Sequence, residues 1–286
     1  MVRDRPREAL SRICHVAPES ELSWYSVDGL APSVAAYPSS TAEAAAVVRE
    51  AADNGWAVLP RGGGTQLDLG APPRAFDVAL CLANLNRVVE YEPADLVVTV
   101  EAGIRLGELQ RILGEHGQFL ALDPPLAEKA TIGGILAANA SGPQRVRYGT
   151  ARDLLLGIKV VTADGRVTKS GGRVVKNVTG YDMGKLYTGS LGTLGLIAEA
   201  SFKLAPLPQR EATVLASFAD VPSAYTAART LYKSALPLRA CELLSPAAHS
   251  GDGCTLAVWL GGGEASVERQ VRDVSAACAN ADVRVV

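Results

Sequence analysis

The sequence of 286 residues is poor in several residue types, and each shortage limits what the protein can be. The net charge is only −2, which argues against a broad nucleic-acid-binding surface. Cysteine is scarce and its positions form no Cys-x-x-Cys pair, so we expect reduced, mostly structural thiols and no metal site. The five cysteines are Cys14, Cys81, Cys241, Cys254 and Cys278.

Long apolar runs are also missing from the sequence, and none is long enough to span a bilayer. The first residues, MVRDRPREAL, are charged and lack the apolar centre of a signal peptide, so we expect a cytoplasmic protein. The composition is otherwise typical of a globular chain, with 48% hydrophobic residues and 28 glycines. These numbers indicate ample core material and many turns.

Glycine is most concentrated at PRGGGTQ, residues 60–66. The segment SSTAEAAAVVREAADNG predicts a helix with a capping box between Ser40 and Glu43, and WAVLP predicts a short buried strand ending at Pro60. A glycine run after a strand costs backbone entropy, so it is either a surface turn or a place where something approaches the backbone closely. Its N–H groups can converge on an anion such as a diphosphate, and Arg61 can add a charge-assisted contact. The run alone leaves both interpretations open.

A second stretch of small residues, ATIGGILAANASG (130–142), enters a predicted short helix, and a helix N-terminus can itself bind an anion. Two such loops, one in each predicted lobe, indicate a long cofactor held by both. If the glycines make room for it, valine at Gly63 or Gly134 strips the ligand and spares the fold. A third stretch, GSLGTLG (189–195), lacks the preceding strand and following helix of a dinucleotide-binding loop, and we interpret its glycines as tight packing near a cofactor.

The order of predicted elements gives an α+β fold with several parts. Two α+β lobes, 25–118 and 119–206, follow an N-terminal extension, 1–24. The second lobe contains a hairpin with Asp164-Gly165 as a two-residue turn. Residues 207–286 read β-α-β-β-α-β, a small ferredoxin-like domain.

Five segments, taken together and in this order, resemble the vanillyl-alcohol-oxidase-type, or PCMH-type, FAD-binding domain over roughly residues 25–206. They are PSSTAEA, LPRGGGT, ATIGGILAANASG, RYGTARD and KNVTGYDMGKLYTGSLGTLGLI. The resemblance implies a two-lobed PCMH-type FAD-binding domain followed by a small ferredoxin-like cap. Within this family, the last segment and the short cap resemble the FAD-binding E subunits of bacterial glycolate oxidases.

The resemblance also implies which residues bind FAD. The loop 61–65 would wrap the diphosphate, 131–134 would complete the diphosphate and ribityl cradle, 139–142 would lie along the flavin, and the backbone of Ile197 would contact the adenine side. Thr65 stands where covalent members of the family often carry histidine, and no cysteine occurs in 139–149, so we expect non-covalent FAD. The implied FAD-binding residues are Arg61, Gly62, Gly63, Gly64, Thr65, Asp123, Pro124, Thr131, Ile132, Gly133, Gly134, Asn139, Ala140, Ser141, Gly142, Tyr148 and Ile197.

The function implied by the resemblance is that of an FAD-binding subunit in a complex that oxidises glycolate to glyoxylate. Its partners would be a homologous catalytic flavoprotein and an iron–sulfur subunit, with at most peripheral membrane association through them. A stand-alone FAD-dependent 2-hydroxy-acid oxidoreductase and a non-catalytic scaffold remain alternatives. The intact glycine loops count against the scaffold, and the short cap and few histidines count against the stand-alone enzyme.

No residue of the sequence can be assigned as the catalytic base. His249 lies in a polar loop, and His116 follows a helix, where a cation suits the dipole. Arg239, at a strand end, is predicted to be a surface charge. Arg145 and Arg147 flank the second small-residue loop and are better candidates for anion contacts.

Overall fold

The computed structural model describes residues 6–172, 181–248 and 253–286. These residues form two compact units, and both are built from discontinuous segments of the chain. The described residues of the first unit lie within Met1–Leu120, Pro124–Ala140 and Thr150–Ala205. The second contains Ala121–Asp123, Ser141–Gly149 and Pro206–Val286. The predicted extension, lobes and cap follow continuous sequence instead, and their boundaries stay predictions.

The helices and strands are numbered along the whole described chain. The helices are α1 (Pro6–Ser11), α2 (Thr41–Asn54), α3 (Leu106–Gly114), α4 (Ile132–Ala138), α5 (Arg145–Tyr148), α6 (Ala151–Leu154), α7 (Met183–Tyr187), α8 (Val221–Lys233) and α9 (Glu264–Ala277). The strands are β1 (His15–Val16), β2 (Val34–Tyr37), β3 (Val58–Arg61), β4 (Val78–Cys81), β5 (Val88–Glu92), β6 (Val97–Glu101), β7 (Gln118–Phe119), β8 (Leu155–Val161), β9 (Val167–Gly171), β10 (Leu196–Lys203), β11 (Ala205–Pro206), β12 (Arg210–Phe218), β13 (Ala240–Leu244), β14 (Cys254–Gly262) and β15 (Asp282–Val285).

The first unit contains two main sheets. One has the order β1-β2-β4-β3, with β2, β4 and β3 parallel, so that α2 is the crossover between β2 and β3. The other is antiparallel, with the order β5-β6-β10-β8-β9. Both sheets bury apolar strand residues, and the α+β class is confirmed.

The start of α2 shows how local sequence sets an element. The Ser40 hydroxyl accepts a hydrogen bond from the Glu43 N–H at 3.1 Å, and Gly55 ends the helix in the left-handed region at φ 69°. The predicted capping box is wrong in one detail, because the Glu43 carboxylate accepts from the N–H of Ser39, at 2.8 Å, and not from that of Ser40. The helix therefore begins as predicted, with the return contact one residue earlier.

Two other local predictions need correction. The strand β3 ends at Arg61, one residue later than predicted, and it is half-buried along its length. The hairpin of β8 and β9 closes with the Thr162 N–H donating to Arg166, which leaves a three-residue turn with Gly165 at φ 74°. A left-handed glycine at the last turn position favours this longer turn over the two-residue form.

The second unit has the predicted ferredoxin-like arrangement. Strands β12 to β15 form an antiparallel sheet with the order β13-β14-β12-β15, and α8 and α9 pack against it and against each other. Side chains of both helices and the strands share one core, which includes Val214, Leu231, Leu256, Val258 and Val274. The alternation of strand and helix was a sufficient signal for this unit.

Candidate cofactor site

A narrow cleft, with about 60 Å³ accessible to water, lies in the first unit, where the end of β3, the helix α4 and the start of β10 meet. The residues that line it are mostly small or apolar, and one of them, Arg61, has a cationic side chain. The lining residues are Pro60, Arg61, Gly62, Leu82, Ala102, Thr131, Gly133, Gly134, Ala137, Leu191, Gly192, Gly195, Leu196 and Ile197.

The glycine loop leaves a run of backbone donors open at this cleft. Within the part of the chain that the structure describes, the N–H groups of Gly62, Gly63, Gly64 and Thr65 donate no hydrogen bond. Gly63 is exposed and the other three residues are half-buried, so water or the acceptor oxygens of a bound ligand can accept from these N–H groups. Gly64 has φ 69°, a left-handed conformation that glycine adopts without strain and that helps successive N–H groups point the same way.

The groups that come closest to the backbone of Gly62 and Gly63 belong to the protein itself and not to a ligand. A Cβ on Gly62 would lie 2.0 Å from the Thr131 hydroxyl oxygen, and a Cβ on Gly63 would lie 1.9 Å from the carbonyl oxygen of Lys129. The prediction that a side chain at Gly63 spares the fold is therefore contradicted. These two glycines allow the loop to pack against the segment that leads into α4, and the packing holds the donors in place.

The N-terminus of α4 is occupied by protein acceptors. The Thr131 hydroxyl caps the helix by accepting from the Gly134 N–H at 3.4 Å. The N–H groups of Ile132 and Gly133 donate to the carbonyls of Ile104 and Ala102, at 3.0 and 2.7 Å. The expectation that this helix start offers free donors to an anion is wrong, because those donors tie α4 to the segment after β6.

The two helical glycines of α4 have different surroundings. A Cβ on Gly133 would lie 2.8 Å from the Cβ of Ala102, so Gly133 permits close packing beneath the helix. A Cβ on Gly134 would meet only the Thr131 hydroxyl, at 3.3 Å, and Gly134 lines the cleft. The structure therefore identifies Gly134 as a position where the missing side chain leaves room in the cleft.

The GSLGTLG segment, residues 189–195, forms another wall of the cleft. Its backbone is fastened to the end of α4, because the N–H groups of Gly189 and Leu191 donate to the carbonyls of Leu136 and Ala137 at 2.9 and 2.8 Å. Gly192, at φ 75°, lies against Pro60, with 3.3 Å from its Cβ position to the proline ring. This arrangement supports the interpretation of these glycines as tight packing beside a cofactor.

The start of β10 leaves a free backbone edge in the cleft. The ladder between β10 and β6 ends at the pair Glu199 and Glu101, and a bulge separates Ile197 from Glu199. Leu196 and Ile197 come before Glu199 in β10, so neither pairs with β6. Both residues line the cleft. The backbone of Ile197 is therefore accessible from the cleft, and its contact with the adenine side stays a prediction.

Several implied FAD-binding residues belong to the second unit, where they hold one loop together. The Asp123 carboxylate accepts from the N–H groups of Gly142 and Gln144 at 3.0 and 2.9 Å. A Cβ on Gly142 would lie 2.0 Å from the Asp123 carbonyl oxygen, so Asp123 and Gly142 have a clear role in closing this loop. The buried Ser141 hydroxyl has no hydrogen-bond partner among the described residues.

Arginines surround Tyr148 in the same unit. The guanidinium carbons of Arg147 and Arg239 lie 5.5 and 5.9 Å from its ring centroid. The prediction that Arg239 is a surface charge is wrong, since its side chain is only 4% exposed. It pairs with Glu211, donates to the Gln144 side-chain oxygen at 3.0 Å and stacks on Trp259. The strand-end position gave no sign of this burial.

The guanidinium groups of Arg145 and Arg147 donate hydrogen bonds to backbone carbonyls of the second unit. Arg145 donates to the carbonyl of Ser141 at 2.9 Å, and Arg147 donates to the carbonyl of Pro237 at 2.5 Å. Both side chains are therefore occupied by backbone acceptors, and their predicted anion contacts find no support.

The structure brings together only part of the implied set. Arg61, Gly62, Thr131, Gly133, Gly134 and Ile197 line the cleft, and Gly63, Gly64 and Thr65 continue its donor loop. Pro124, Ile132, Asn139 and Ala140 lie elsewhere in the first unit; Ile132 is fully buried and Asn139 caps α4 at φ 48°. Asp123, Ser141, Gly142 and Tyr148 lie in the second unit.

Eight lining residues were not among the implied binders, and all are small or apolar. The spacing of glycines in GSLGTLG was the signal for Gly192 and Gly195, whereas no pattern marks the others. The set is Pro60, Leu82, Ala102, Ala137, Leu191, Gly192, Gly195 and Leu196.

Two of the histidines lie on aromatic neighbours and not in the cleft. The His116 ring is 5.2 Å from that of Tyr91, and the His15 ring is 6.0 Å from that of Tyr37. His249 lies outside the described residues. Across 6–172, 181–248 and 253–286, no three His, Cys, Asp or Glu side chains cluster as metal ligands, and no described helix is long and apolar enough to cross a membrane.

The geometry fits a dinucleotide-type cofactor. Four successive free N–H groups beside a guanidinium suit a diphosphate, and a cleft of small and apolar residues with a free strand edge suits the groups attached to it. The buried Ser190 hydroxyl, next to lining residue Leu191, also lacks a partner in the described chain. The residues present therefore fit FAD.

Comparison with known proteins agrees with this geometry. Residues 32–171 match the model of an FAD-binding domain family. Among solved structures, p-cresol methylhydroxylase superposes with a TM-score of 0.83 at 17% identity, over 99% of this chain and 65% of that chain. Alkyldihydroxyacetonephosphate synthase gives a TM-score of 0.77 at 22% identity, over 89% of this chain and 52% of that chain. At these identities the likeness establishes the fold alone. The chain belongs to the family of proteins with a PCMH-type FAD-binding domain, and its cofactor is FAD.

Three curated relatives have names that refer to 2-hydroxy acids. Glycolate oxidase subunit GlcD of Bacillus subtilis is 33% identical over 193 residues, 68% of this chain and 41% of the relative. D-lactate dehydrogenase of Archaeoglobus fulgidus is 36% identical over 219 residues, 73% of this chain and 48% of the relative. D-2-hydroxyglutarate dehydrogenase of Xanthomonas citri is 37% identical over 177 residues, 62% of this chain and 38% of the relative. The chain thus spans less than half the length of each of these relatives.

Proposed function

We propose that this chain holds FAD without a covalent bond and takes part in the oxidation of a small 2-hydroxy acid. The observation that carries the proposal is the cleft of the first unit, where four free N–H groups follow directly on Arg61. Similarity to proteins named for glycolate, D-lactate and D-2-hydroxyglutarate supports the substrate class. Bound FAD supplies the acceptor for the two electrons that leave the hydroxy acid.

The chain's own residues would bind, orient and shield the cofactor. The amides of Gly62–Thr65 and the guanidinium of Arg61 would carry the diphosphate by charge-assisted hydrogen bonds. Gly134 would leave room beside it, and the apolar side chains of Leu82 and Leu196 would exclude water. The backbone of Ile197 would contact the adenine side. Thr65 supports the non-covalent state, because its hydroxyl is not a group that links to the flavin as histidine does.

We further propose that the chain works as an FAD-binding subunit of a glycolate oxidase-type complex. The similarity to a glycolate oxidase subunit supports this assembly. A homologous catalytic flavoprotein and an iron–sulfur subunit would be its partners, with electrons passed to them from the 2-hydroxy acid. Any membrane association would be peripheral and made through those partners.

The experiment is a comparison of turnover by the purified chain and by the native complex. The chain is expressed with an affinity tag in its source cell, the complex is isolated, and its flavin and iron are measured. A dye acceptor then reports oxidation of glycolate and D-lactate by each sample. The proposal expects oxidation by the complex and little by the chain alone.

Two outcomes would change the proposal. Oxidation by the purified chain alone, at about 1 s⁻¹ or faster, would favour a stand-alone 2-hydroxy-acid oxidoreductase. A chain that contains FAD but is inactive both alone and in every isolated complex would contradict the proposed reaction. It would leave FAD binding intact.

A further inference from the structure

The Arg61 guanidinium lies over the ring of Tyr25, with 5.5 Å from its central carbon to the ring centroid. This distance is within the range of a cation–π interaction. The same side chain folds back towards the free donors, since one of its terminal nitrogens is 3.0 Å from the Cβ position of Gly64. Arg61 has no carboxylate partner among the described residues. The ring is therefore the group that holds this cation beside the donor loop.

Tyr25 is itself held firmly. It is the last residue of a 3₁₀ helix, Glu19–Tyr25, and it is 8% exposed. Its ring belongs to a small core that also contains Phe76 and Cys81. Its hydroxyl is 2.5 Å from the hydroxyl of Tyr37, on β2. Both the position and the tilt of the ring are fixed by these contacts.

Neighbouring groups indicate that the positive charge of Arg61 lies at the edge of this core. Burial raises the pKa of the Cys81 thiol to about 11, and the nearby charge of Arg61 acts in the opposite direction. Burial, with the hydrogen bond to Tyr25, also raises the pKa of Tyr37. Both groups therefore remain neutral near pH 7, and neither competes with an anion for the guanidinium.

We propose that Tyr25 is a positioning residue for the diphosphate of FAD and acts through Arg61. An arginine side chain has many rotamers, and ordering it on binding costs free energy. A fixed aromatic face beneath the guanidinium orders it in advance, next to the N–H groups of Gly62–Thr65. Tyr25 lies before residue 32, where the match to the FAD-binding domain begins, so the site extends into the preceding segment. The inference rests on the proposed binding of FAD in this cleft.

A double-mutant cycle tests the inference by FAD affinity, without any assay of activity. Apoprotein of the full chain is titrated with FAD, and flavin fluorescence reports binding for wild type, Tyr25→Leu, Arg61→Met and the double variant. Tyr25→Leu is expected to weaken FAD binding about fivefold to thirtyfold, the range of a cation–π contact at a partly buried site. In the Arg61→Met background the same change should have no further effect. Trp24→Leu, on the same 3₁₀ helix but 69% exposed, is the matched control and should bind like wild type.

Equal losses from Tyr25→Leu in both backgrounds would overturn the inference, because the ring would then act on the fold and not on Arg61. If Tyr25→Leu does not fold, phenylalanine and increasingly fluorinated phenylalanines at position 25 keep the ring shape while weakening its attraction for a cation. FAD affinity should fall step by step along that series, and a flat series would contradict the inference. Absence of FAD binding by the wild type would instead contradict the proposed function itself.

Discussion

The α-carbon of Gly63 faces the carbonyl oxygen of Lys129 so closely that a Cβ on Gly63 would lie 1.9 Å from that oxygen. The contact joins the donor loop after β3 to the segment before α4. It makes the position of the open N–H groups a property of the folded protein, present before any cofactor binds. Prior organisation of this kind lowers the cost of binding an anion.

Gly63→Ala should therefore destabilise the apoprotein by about 1–3 kcal/mol, because the backbone of one segment must move. Denaturant unfolding of the apoprotein measures the effect. Gly114→Ala is the control: Gly114 is the last residue of α3 and its Cβ position has no neighbour within 4 Å. That change should be neutral or stabilise by up to about 1 kcal/mol. Equal stability of the two variants would contradict the packing role of Gly63.

Gly134→Val should have the opposite pattern, with the fold retained and the cofactor lost. The only neighbour of its Cβ position is the Thr131 hydroxyl, at 3.3 Å, and the remaining space is the cleft. We expect FAD affinity to fall by about tenfold or more. The apoprotein should melt within a few degrees of wild type. Gly114→Val, also at a helical glycine but away from the cleft, should retain FAD; if Gly134→Val retains it equally, this helix face does not contact the cofactor.

Arg239→Leu should weaken the second unit substantially. The guanidinium is buried, pairs with Glu211, and donates to Gln144, whose side-chain oxygen would lose a charged donor. Losing hydrogen bonds to a charged group costs about 1.5–3 kcal/mol each in proteins, and Glu211 is partly exposed, which lowers its share. Thermal unfolding compares this variant with Arg210→Ala, whose ion pairs to Glu264 and Glu268 are on the surface and should be worth less than about 1 kcal/mol. Comparable losses would mean that burial adds nothing at Arg239.

Glu101, the last residue of β6, should contribute to the acid sensitivity of the first unit. Burial alone would raise its pKa, but hydrogen bonds from the Arg87 side chain and N–H, with the charges of Arg87 and Lys159, outweigh it, so that the pKa is lowered from 4.5. A lowered folded-state pKa stabilises the protein above the unfolded value, and that stability is lost as the pH falls below about 4.5.

Melting temperatures from about pH 7 to about pH 3 measure this contribution. Glu101→Gln should make the decline below about pH 4.5 shallower than in wild type. Glu115→Gln removes an exposed carboxylate, paired with Arg111, and should leave the slope unchanged. Identical slopes for wild type and Glu101→Gln would contradict the assignment.

Local patterns in the sequence were enough for much of the fold. The cap at Ser40 and the β-α-β-β-α-β order both depend on residues close in the chain, and the structure has each of them. The short strands β2 and β5 were missed, because four or five residues without clear alternation give little signal. The three-residue turn at Gly165 was missed because the Asp164-Gly165 motif suggests a two-residue turn. The residues that close the turn by a hydrogen bond, Thr162 and Arg166, are not marked by that motif.

Long-range contacts account for what sequence reasoning got wrong at the site. Motifs marked the glycine loop and Ile197, which lie at the cleft, but the need for glycine at positions 62 and 63 depends on Thr131 and Lys129, nearly 70 positions later. The donors at the start of α4 looked free because their acceptors, such as the Ala102 carbonyl, come from another element. Arg239 looked exposed because its partners, Gln144 and Glu211, are distant in sequence. Such pairings follow from the tertiary fold and leave no local pattern.

The central claim is that the first unit holds FAD, without a covalent bond, at the loop that follows Arg61. Its most direct test is the flavin content of the purified full chain, measured by visible absorbance before and after acid precipitation, with Gly134→Val prepared in parallel. We predict stoichiometric FAD in the wild type, all of it released into the acid supernatant, and little in the variant. A wild-type protein that carries no flavin and takes up none when FAD is added would contradict the claim, and a yellow pellet would contradict its non-covalent part.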